Sequence, residues 1–329
     1  MSRTTDIESD DVRSIPTFRA AYSDRTALLM AKLAYRAYEK FDASDESFSR
    51  FRGDFAHLGL EDFDSLVARE RGTAGFIAAG PEIIVVVFRG TENLLDWWTN
   101  MNAARRTLQG GVKVHAGFFR AYRPIRDQLF ETLCRLLKAK RRPIYITGHS
   151  LGGALALMAT AELSNHHEAE VRDSIAACYT FGCPKAGDRS FDQYVKAPLY
   201  RVTNGVDLVP AVPPPFIGYA HVGDTRYFGR RGMSPLRRAP NVLLKLWRAA
   251  WGVLQLLWAR QILSIADHSM IVYIDKLDAW AKLSSFESKR RREATVDPRL
   301  GEVSRATLPQ RGPSFSDFPT APRIVTLGN

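Results

Sequence analysis

A serine lies at the centre of the pentapeptide Gly148-His149-Ser150-Leu151-Gly152, directly after a short apolar run at 143–147. Residues 153–160, rich in Ala and Leu, follow it and are typical of a helix. A Gly-x-Ser-x-Gly motif between a strand and a helix predicts a nucleophile elbow, a sharp turn that presents the serine hydroxyl. Small flanking residues let the strand and the helix approach each other. We therefore expect Ser150 to be a catalytic nucleophile; the alternative is a serine that only caps the helix.

A serine hydroxyl needs a base to remove its proton and a carboxylate to orient that base. In folds with such an elbow the three residues follow the chain order serine, acid, histidine. Asp207 fits this order, because it follows an apolar run at 199–203 and a turn, and precedes a proline-rich loop. Asp188 and Asp192 also follow Ser150 and are the second choices for the acid.

Two of the seven histidines, His221 and His268, follow the candidate acid in the chain. His268 opens a helical stretch at 268–274, whereas His221 comes soon after the acid and before a further apolar run. We expect His268 to be the base and His221 to make a structural hydrogen bond. His149 lies inside the elbow, where its side chain must point away from the serine.

The run Phe88-Arg89-Gly90-Thr91 ends a second continuously apolar segment. Thr91 is expected to donate its backbone N–H, with its hydroxyl as a further donor, to an oxyanion that develops on the substrate. Leu151, the residue after the serine, supplies the other N–H. One such donor typically contributes about 2.7–4 kcal/mol to the lowering of the barrier. The alternative for Thr91 is an ordinary turn residue.

The elements that must position these residues alternate between strand and helix patterns, which favours an α/β fold. Predicted strands cover 73–79, 82–88, 143–147, 176–181 and 199–203, and predicted helices cover 24–42, with Asp24 as N-cap, 119–140 and the residues from the elbow to about 165. The continuously apolar run at 83–88 is typical of a strand covered on both faces. We expect a mostly parallel central sheet flanked by helices.

The chain has 329 residues, 45% of them hydrophobic and 25% charged, which is ordinary for a globular protein with a large core. We expect residues 1–20 to be disordered, 21–285 to form the folded domain, and 286–329 to form a basic, mostly disordered tail. The N-terminal segment is polar and shows no secretory signal, and the three cysteines form no disulfide framework. A cytoplasmic or membrane-peripheral location is therefore predicted, and a secreted mature form is the alternative.

The net charge of +11 indicates an acidic partner surface, and no motif for nucleic-acid recognition accompanies it. Much of this charge lies in residues 225–266, which contain eight Lys or Arg and no Asp or Glu. The second half of that insertion is rich in Leu and carries Trp247, Trp251 and Trp258, whereas Lys245 and Arg248 lie on a narrow polar stripe of a helical wheel.

Two interpretations of the insertion stay open. It forms either an interfacial helix on an anionic membrane surface, with its tryptophans at the headgroups, or a helical cap that buries its apolar side against the domain. Charges near both ends leave too short an uncharged stretch for a span across the bilayer.

Five blocks of the chain resemble the class 3 lipase family, the fungal-lipase-like α/β-hydrolases. They are Phe88-Arg89-Gly90-Thr91 with Asp96-Trp97, Lys113-Val114-His115-x-Gly117-Phe118, Gly148–Gly153, Phe181-Gly182-x-Pro184-Lys185-x-Gly187 and Val202–Pro210. A looser sixth block is His268 followed by Tyr273. The blocks follow the family order over about residues 70 to 275.

The resemblance implies Ser150 as nucleophile, Asp207 as acid and His268 as base, with the amides of Thr91 and Leu151 as the oxyanion hole. It also implies a mobile lid just after the threonine, and here that segment contains the apolar residues Leu94, Leu95, Trp97 and Trp98. No metal or organic cofactor is implied. The implied activity is hydrolysis of lipid esters, most directly of acylglycerols. A phospholipase, a short-chain esterase and an inactive lipase-like scaffold at membranes are the alternatives.

Overall fold

The computed structural model of the protein describes residues 4–15, 21–39, 41, 44–91, 104–205, 207–229, 235–236 and 268–296. Residues 109, 235–236 and 286–296 are described by their backbone alone. The insertion at 225–266 is therefore described only at its N-terminal end, and its predicted apolar helix lies outside the described residues.

The described elements alternate between strands and helices over most of the chain. The strands are β1 (Asp62–Ala68), β2 (Thr73–Ala79), β3 (Ile84–Phe88), β4 (Arg105–Thr107), β5 (Lys113–His115), β6 (Ile144–His149), β7 (Ile175–Phe181), β8 (Leu199–Asn204), β9 (Asp224–Phe228) and β10 (Pro235–Leu236). The α-helices are α1 (Ser9–Arg13), α2 (Asp24–Arg36), α3 (Asp45–His57), α4 (Ala116–Ala139), α5 (Leu151–Leu163), α6 (Ala169–Ser174), α7 (Ser190–Tyr194) and α8 (Met270–Val296).

Eight of the strands form one sheet in the order β1-β2-β3-β6-β7-β8-β9-β10, and β4 pairs with β5 in a separate hairpin. Strands β3, β6, β7, β8 and β9 run parallel, and the strands at both edges pair antiparallel. Every residue of β2, β3, β6, β7 and β8 is buried. A strand covered on both faces has this pattern, which the continuously apolar run at 83–88 predicts for β3.

The strand register brings the candidate site residues to one edge of the sheet. Phe88 of β3 lies opposite Gly148 of β6, and Phe181 of β7 lies opposite both His149 of β6 and Val202 of β8. The carboxyl ends of these parallel strands are therefore level. Side chains that follow the strands can meet there, in the crevice that open α/β sheets use for ligands.

Two hydrophobic cores cover the two faces of the sheet. Helices α4 and α5 pack on one face, where Leu129, Leu133 and Leu157 are buried. Helices α2, α3 and α8 pack on the other, where a cluster of stacked and edge-on aromatic rings joins α3 to β1 and β2. The members of that cluster are Phe41, Phe48, Phe51, Phe55, Phe63 and Phe76.

Three expectations from the sequence require correction. Part of the segment 1–20 is folded: α1 buries Val12, Ile15 is buried after it, and the Asp11 carboxylate lies 3.1 Å from the Lys32 ammonium. The spacing of three residues puts the two apolar side chains on one face of a helical turn, and they pack against α2. Helix α8 also continues beyond residue 285, to Val296.

The third correction concerns the start of α2. The N-cap is Ser23, whose hydroxyl accepts a hydrogen bond from the Thr26 N–H, and Asp24 is the first helical residue. An acidic residue in the first turn still favours the helix through the dipole. None of the helices in the described part of the chain combines the length and hydropathy needed to cross a bilayer.

Candidate active site

The elbow places Ser150 between the end of β6 and the start of α5. Ser150 has φ 57° and ψ −125°, and it is the one non-glycine residue with positive φ among those that the structure describes. A Cβ on Gly148 would lie 2.3 Å from the carbonyl carbon of Gly152, and a Cβ on Gly152 would lie 2.2 Å from the Phe88 carbonyl oxygen. Only glycines permit these approaches, so the motif holds a strained serine at the turn.

Ser150 and His268 present two buried polar atoms without partners. The Ser150 N–H donates to the Phe181 carbonyl over 2.9 Å, which fixes the turn against β7. Within the described part of the chain, Ser150 Oγ and His268 Nε2 are buried and have no hydrogen-bond partner. A buried polar atom without a hydrogen-bond partner lowers the stability of the fold, so its presence calls for a functional explanation. These two atoms are the donor and the acceptor that proton transfer from a serine nucleophile would use.

The other side of the His268 ring contacts a carboxylate. His268 Nδ1 donates to Asp207 Oδ2 over 2.8 Å, and the two side chains are 3% and 0% exposed. The Val209 N–H donates to the second oxygen, Oδ1, over 2.9 Å. A carboxylate that accepts from Nδ1–H leaves the lone pair of the neutral ring on Nε2, as a general base requires.

Tyr273 is a partner of the carboxylate to which the sequence analysis assigned no role. Its hydroxyl donates to Asp207 Oδ2 over 2.6 Å and accepts from the Asn204 N–H over 3.0 Å. Tyr273 lies five residues after His268, in the second turn of α8, and it is fully buried. Its place in the sixth sequence block was the one signal that could have identified it.

Gly182 lies directly against the histidine–carboxylate pair. Its φ is 55°, and a Cβ there would lie 2.8 Å from Asp207 Oδ2 and 2.8 Å from His268 Cε1. A side chain at this position would therefore push the acid and the base apart. The sequence analysis included Gly182 in a block but did not predict this contact.

His149 contacts the backbone of the candidate base. Its Nε2 donates to the His268 carbonyl oxygen over 2.8 Å, so its Nδ1 is the acceptor for the Tyr38 hydroxyl, 2.7 Å away. Burial, and then the neighbouring His268, lower the pKa of His149 well below its usual value. The ring is therefore neutral, as this pair of hydrogen bonds requires.

The two segments that carry the candidate oxyanion donors pack together at the same edge of the sheet. Leu151 is the first residue of α5, so its N–H has no acceptor within the helix. The start of α5 packs against the chain that leads to Thr91, because the Cβ position of Gly152 lies 2.9 Å from the carbonyl carbon of Arg89.

The second-choice acids lie elsewhere. The Asp188 carboxylate accepts from the Ser190 N–H over 3.0 Å, and the Asp192 carboxylate accepts from the Gly223 N–H over 2.7 Å. The first hydrogen bond stabilises the start of α7, and the second joins α7 to the loop before β9. His221, the alternative base, is half-buried just before β9.

Several predicted site residues lie outside the described residues. They are the lid residues Leu94, Leu95, Trp97 and Trp98, and the membrane-interface residues Lys245, Trp247, Arg248, Trp251 and Trp258. No cluster of three His, Cys, Asp or Glu side chains that could hold a metal ion occurs in the part of the chain that the structure describes.

Comparison with known proteins matches this part of the fold. The model of the family "Lipase (class 3)" matches residues 85–217. The lipase of Rhizomucor miehei is 34% identical over 162 residues, which are 46% of this chain and 44% of that protein. The secreted mono- and diacylglycerol lipase 1 of Fusarium solani is 35% identical over 167 residues, 48% of each chain. The chain thus spans less than half the length of these two relatives.

A solved structure shows the same architecture. The triacylglyceride lipase of Rhizomucor miehei superimposes with a TM-score of 0.53 and 26% identity, over 64% of this chain and 82% of that one. Three findings agree: the mostly parallel sheet, the glycine-bounded serine at its edge, and the match of residues 85–217 to the family model. Residues 85–217 therefore belong to the class 3 lipase family, and the folded part of the chain has the α/β-hydrolase architecture.

Proposed function

We propose that the protein is a serine hydrolase that cleaves carboxylic esters of lipids, with acylglycerols as its main substrates. The hydrogen bond between Asp207 and His268, on the same sheet edge as Ser150, carries this proposal. It orients a neutral imidazole whose Nε2 is buried and has no partner within the described residues.

In the proposed reaction, Ser150 Oγ attacks the ester carbonyl while His268 Nε2 accepts the hydroxyl proton. The backbone N–H groups of Leu151 and Thr91 stabilise the oxyanion that develops. The tetrahedral intermediate then expels the alcohol, which takes its proton from His268. Asp207 stabilises the imidazolium throughout.

The second half of the cycle releases the acid. Water attacks the acyl-serine ester and gives its proton to His268 Nε2. The second tetrahedral intermediate collapses to the free fatty acid, and the proton returns to Ser150 Oγ. No step requires a metal ion or an organic cofactor.

The substrate class rests on the relatives. The Fusarium solani protein is named as a mono- and diacylglycerol lipase, and the Rhizomucor miehei structure as a triacylglyceride lipase. We therefore propose acylglycerols before phospholipids and short-chain esters. For location we propose action at a lipid surface as a peripheral protein; the word "secreted" in the Fusarium solani name favours the outside of the cell over the cytoplasm.

The test combines covalent labelling with a substrate series. The full chain is reacted with a fluorophosphonate probe and assayed on triolein emulsion, phosphatidylcholine vesicles and p-nitrophenyl butyrate. Ser150→Ala should abolish labelling and all hydrolysis. The control Ser164→Ala removes another buried hydroxyl that has no partner among the described residues, at the end of α5, and should retain both.

Each outcome decides one part of the proposal. Hydrolysis of triolein that disappears in Ser150→Ala supports an acylglycerol lipase. Hydrolysis of phosphatidylcholine alone makes the protein a phospholipase, and of the butyrate alone an esterase. If the protein is not labelled and hydrolyses none of the substrates, the proposal that it is an enzyme is wrong, and the inactive lipase-like scaffold is favoured.

A further inference from the structure

Phe216 is the most exposed large hydrophobic residue in the described part of the chain. It is 85% exposed, against 46% for Ile271 and 41% for Leu283. It lies in the short 3-10 turn Pro215–Ile217. Transfer of an exposed aromatic ring from water to an apolar or interfacial environment is favourable.

The loop that carries Phe216 is held at both ends. Before it, the buried Lys185 donates from Nζ to the Pro210 carbonyl over 3.1 Å and from its backbone N–H to the Val212 carbonyl over 2.7 Å. After it, the Tyr219 ring is buried, at 2% exposure. Phe216 is therefore exposed on a loop whose two ends are held in place by these contacts.

Basic side chains border this loop. A Cβ on Gly218 would lie 2.7 Å from Arg105 Nη1, and the Arg105 guanidinium carbon lies 5.9 Å from the Tyr219 ring centroid. Lys113 lies on the same face of the β4–β5 hairpin as Arg105, because they occupy alternate positions of the pleat. Arg106, on the other face, covers the Phe119 ring at 4.5 Å.

Acidic side chains are absent from both segments. Residues 104–126 and 208–223 contain no Asp or Glu. The closest acid in the contacts of the hairpin is Asp188, whose N–H donates to the Lys113 carbonyl while its carboxylate bonds Ser190. Among the described residues, no carboxylate forms an ion pair with Arg105, Arg106 or Lys113, so their charges stay available to a partner.

We propose that Phe216, Arg105 and Lys113 form a docking surface for an anionic lipid surface, named here the Phe216 surface. Phe216 enters the headgroup region, and the two cations lie against headgroup phosphates. The loop leaves the candidate site through Asp207, so docking there brings lipid to the sheet edge that carries Ser150. This inference rests on the proposed function for its purpose but is measured without hydrolysis.

The experiment is vesicle co-sedimentation of the full chain in the Ser150→Ala background, so that the lipid stays intact. The vesicles are phosphatidylcholine alone, or phosphatidylcholine with phosphatidylglycerol. The parent should bind the anionic vesicles more tightly. Phe216→Ser should lower its partition coefficient by about tenfold or more. Arg105→Gln with Lys113→Gln should lower it by about fivefold per charge, and on anionic vesicles only.

Matched variants control for size and charge. Leu283→Ser removes another exposed apolar side chain, and Arg50→Gln with Arg52→Gln removes two exposed charges on α3. Both should bind as the parent does. Unfolding midpoints of all variants check that the fold is intact.

Two results would overturn the inference: equal binding to both kinds of vesicle, or unchanged binding by the Phe216 and Arg105/Lys113 variants. In the second case another surface, such as the insertion at 225–266, carries the interaction. Failure of the proposed function is distinguishable. If the protein is labelled and hydrolyses esters but gives either of these results, only the proposed docking surface is refuted. If it binds vesicles as expected but hydrolyses no ester, only the proposed function is refuted.

Discussion

His149 Nε2 donates a hydrogen bond to the backbone carbonyl of His268 over 2.8 Å, so the residue before the candidate nucleophile holds the candidate base. The two residues lie 119 positions apart in the chain, and their ring centroids are 4.4 Å apart. His149, the first variable residue of the Gly-x-Ser-x-Gly motif, thus positions the backbone of His268.

Tyr38→Phe tests this positioning, because it removes the hydroxyl that donates to His149 Nδ1. Since a small displacement of a base impairs proton transfer, we expect kcat for a soluble ester to fall by about tenfold with little change in KM. The loss of a partner for a buried ring nitrogen should lower the free energy of unfolding by about 1–3 kcal/mol. Steady-state kinetics and urea unfolding measure the two effects. Tyr35→Phe, in the last turn of α2, is the matched control, and an equal effect there would refute the assignment.

Asp207→Asn tests the orientation of the base. An amide cannot hold the His268 ring with the proton on Nδ1 as the carboxylate does, so kcat should fall by about 10⁴-fold. The fold should persist, because the Val209 N–H can still donate to an amide oxygen. A loss of less than about tenfold in single-turnover assays would mean that another group orients His268.

Tyr273→Phe leaves the Asn204 N–H and one lone pair of the Asp207 carboxylate without their partner. We expect a kcat loss smaller than that of Asp207→Asn, and a decrease of about 1–3 kcal/mol in the free energy of unfolding. Tyr227→Phe removes a neighbouring hydroxyl that bonds the Gly205 carbonyl over 3.1 Å and should leave kcat unchanged. Equal kcat losses in the two variants would contradict a role through Asp207.

Gly182→Ala adds a methyl group 2.8 Å from Asp207 Oδ2 and 2.8 Å from His268 Cε1. We expect kcat to fall by more than about tenfold, because the acid and the base must separate. Gly72→Ala is the control: its φ is 62°, close to the 55° of Gly182, and nothing lies within 4 Å of the added atom. Both variants bear the strain of a left-handed residue, about 1 kcal/mol, but only Gly182→Ala should lose activity. Similar kcat values for the two would remove Gly182 from the site.

His115 predicts how stability depends on pH. Its Nδ1 accepts from the N–H groups of Gly117 and Phe118 at the start of α4, and burial, followed by the charge of Arg120, lowers its pKa to about 4 from 6.5. Between pH 6.5 and about 4, His115 is protonated in the unfolded chain but not in the folded chain. Stability from this residue is therefore complete above pH 6.5 and decreases as the pH falls towards 4.

Urea unfolding at several pH values between 7 and 4 measures this dependence. His115→Asn retains a side-chain acceptor for the helix N-terminus but does not titrate, so its stability should decrease less steeply over that range. Parallel curves for wild type and variant would show that His115 is protonated in the folded chain.

Much of the fold follows from local patterns. The apolar runs predicted five of the strands, and the continuously apolar run at 83–88 also predicted burial of its strand on both faces, since a parallel strand between two helical layers has little polar surface. Strand β1 and helix α3 escaped prediction. The spacing of Phe48, Phe51 and Phe55 has the helical period and could have identified α3, whereas β1 joins the aromatic cluster through Phe63, a contact that only tertiary packing creates.

The site divides in a similar way. Ser150, Asp207 and His268 were accessible because residue type, spacing and chain order restrict them. Tyr273, Gly182 and Tyr38 were not, because each acts on another side chain or on backbone at a distance that only the strand register and the packing of α2 and α8 create. Their roles remain predictions until the variants above are measured.

The candidate base is fastened from both sides by residues outside the insertion. Its carbonyl is held by His149 of β6, and its ring contacts Asp207, which Tyr273 of α8 holds in turn. These contacts position the imidazole without a contribution from the chain between residues 229 and 268. We therefore expect changes in the length or composition of that stretch to leave the position of the imidazole unchanged, which would make it a site for grafting new surface specificities.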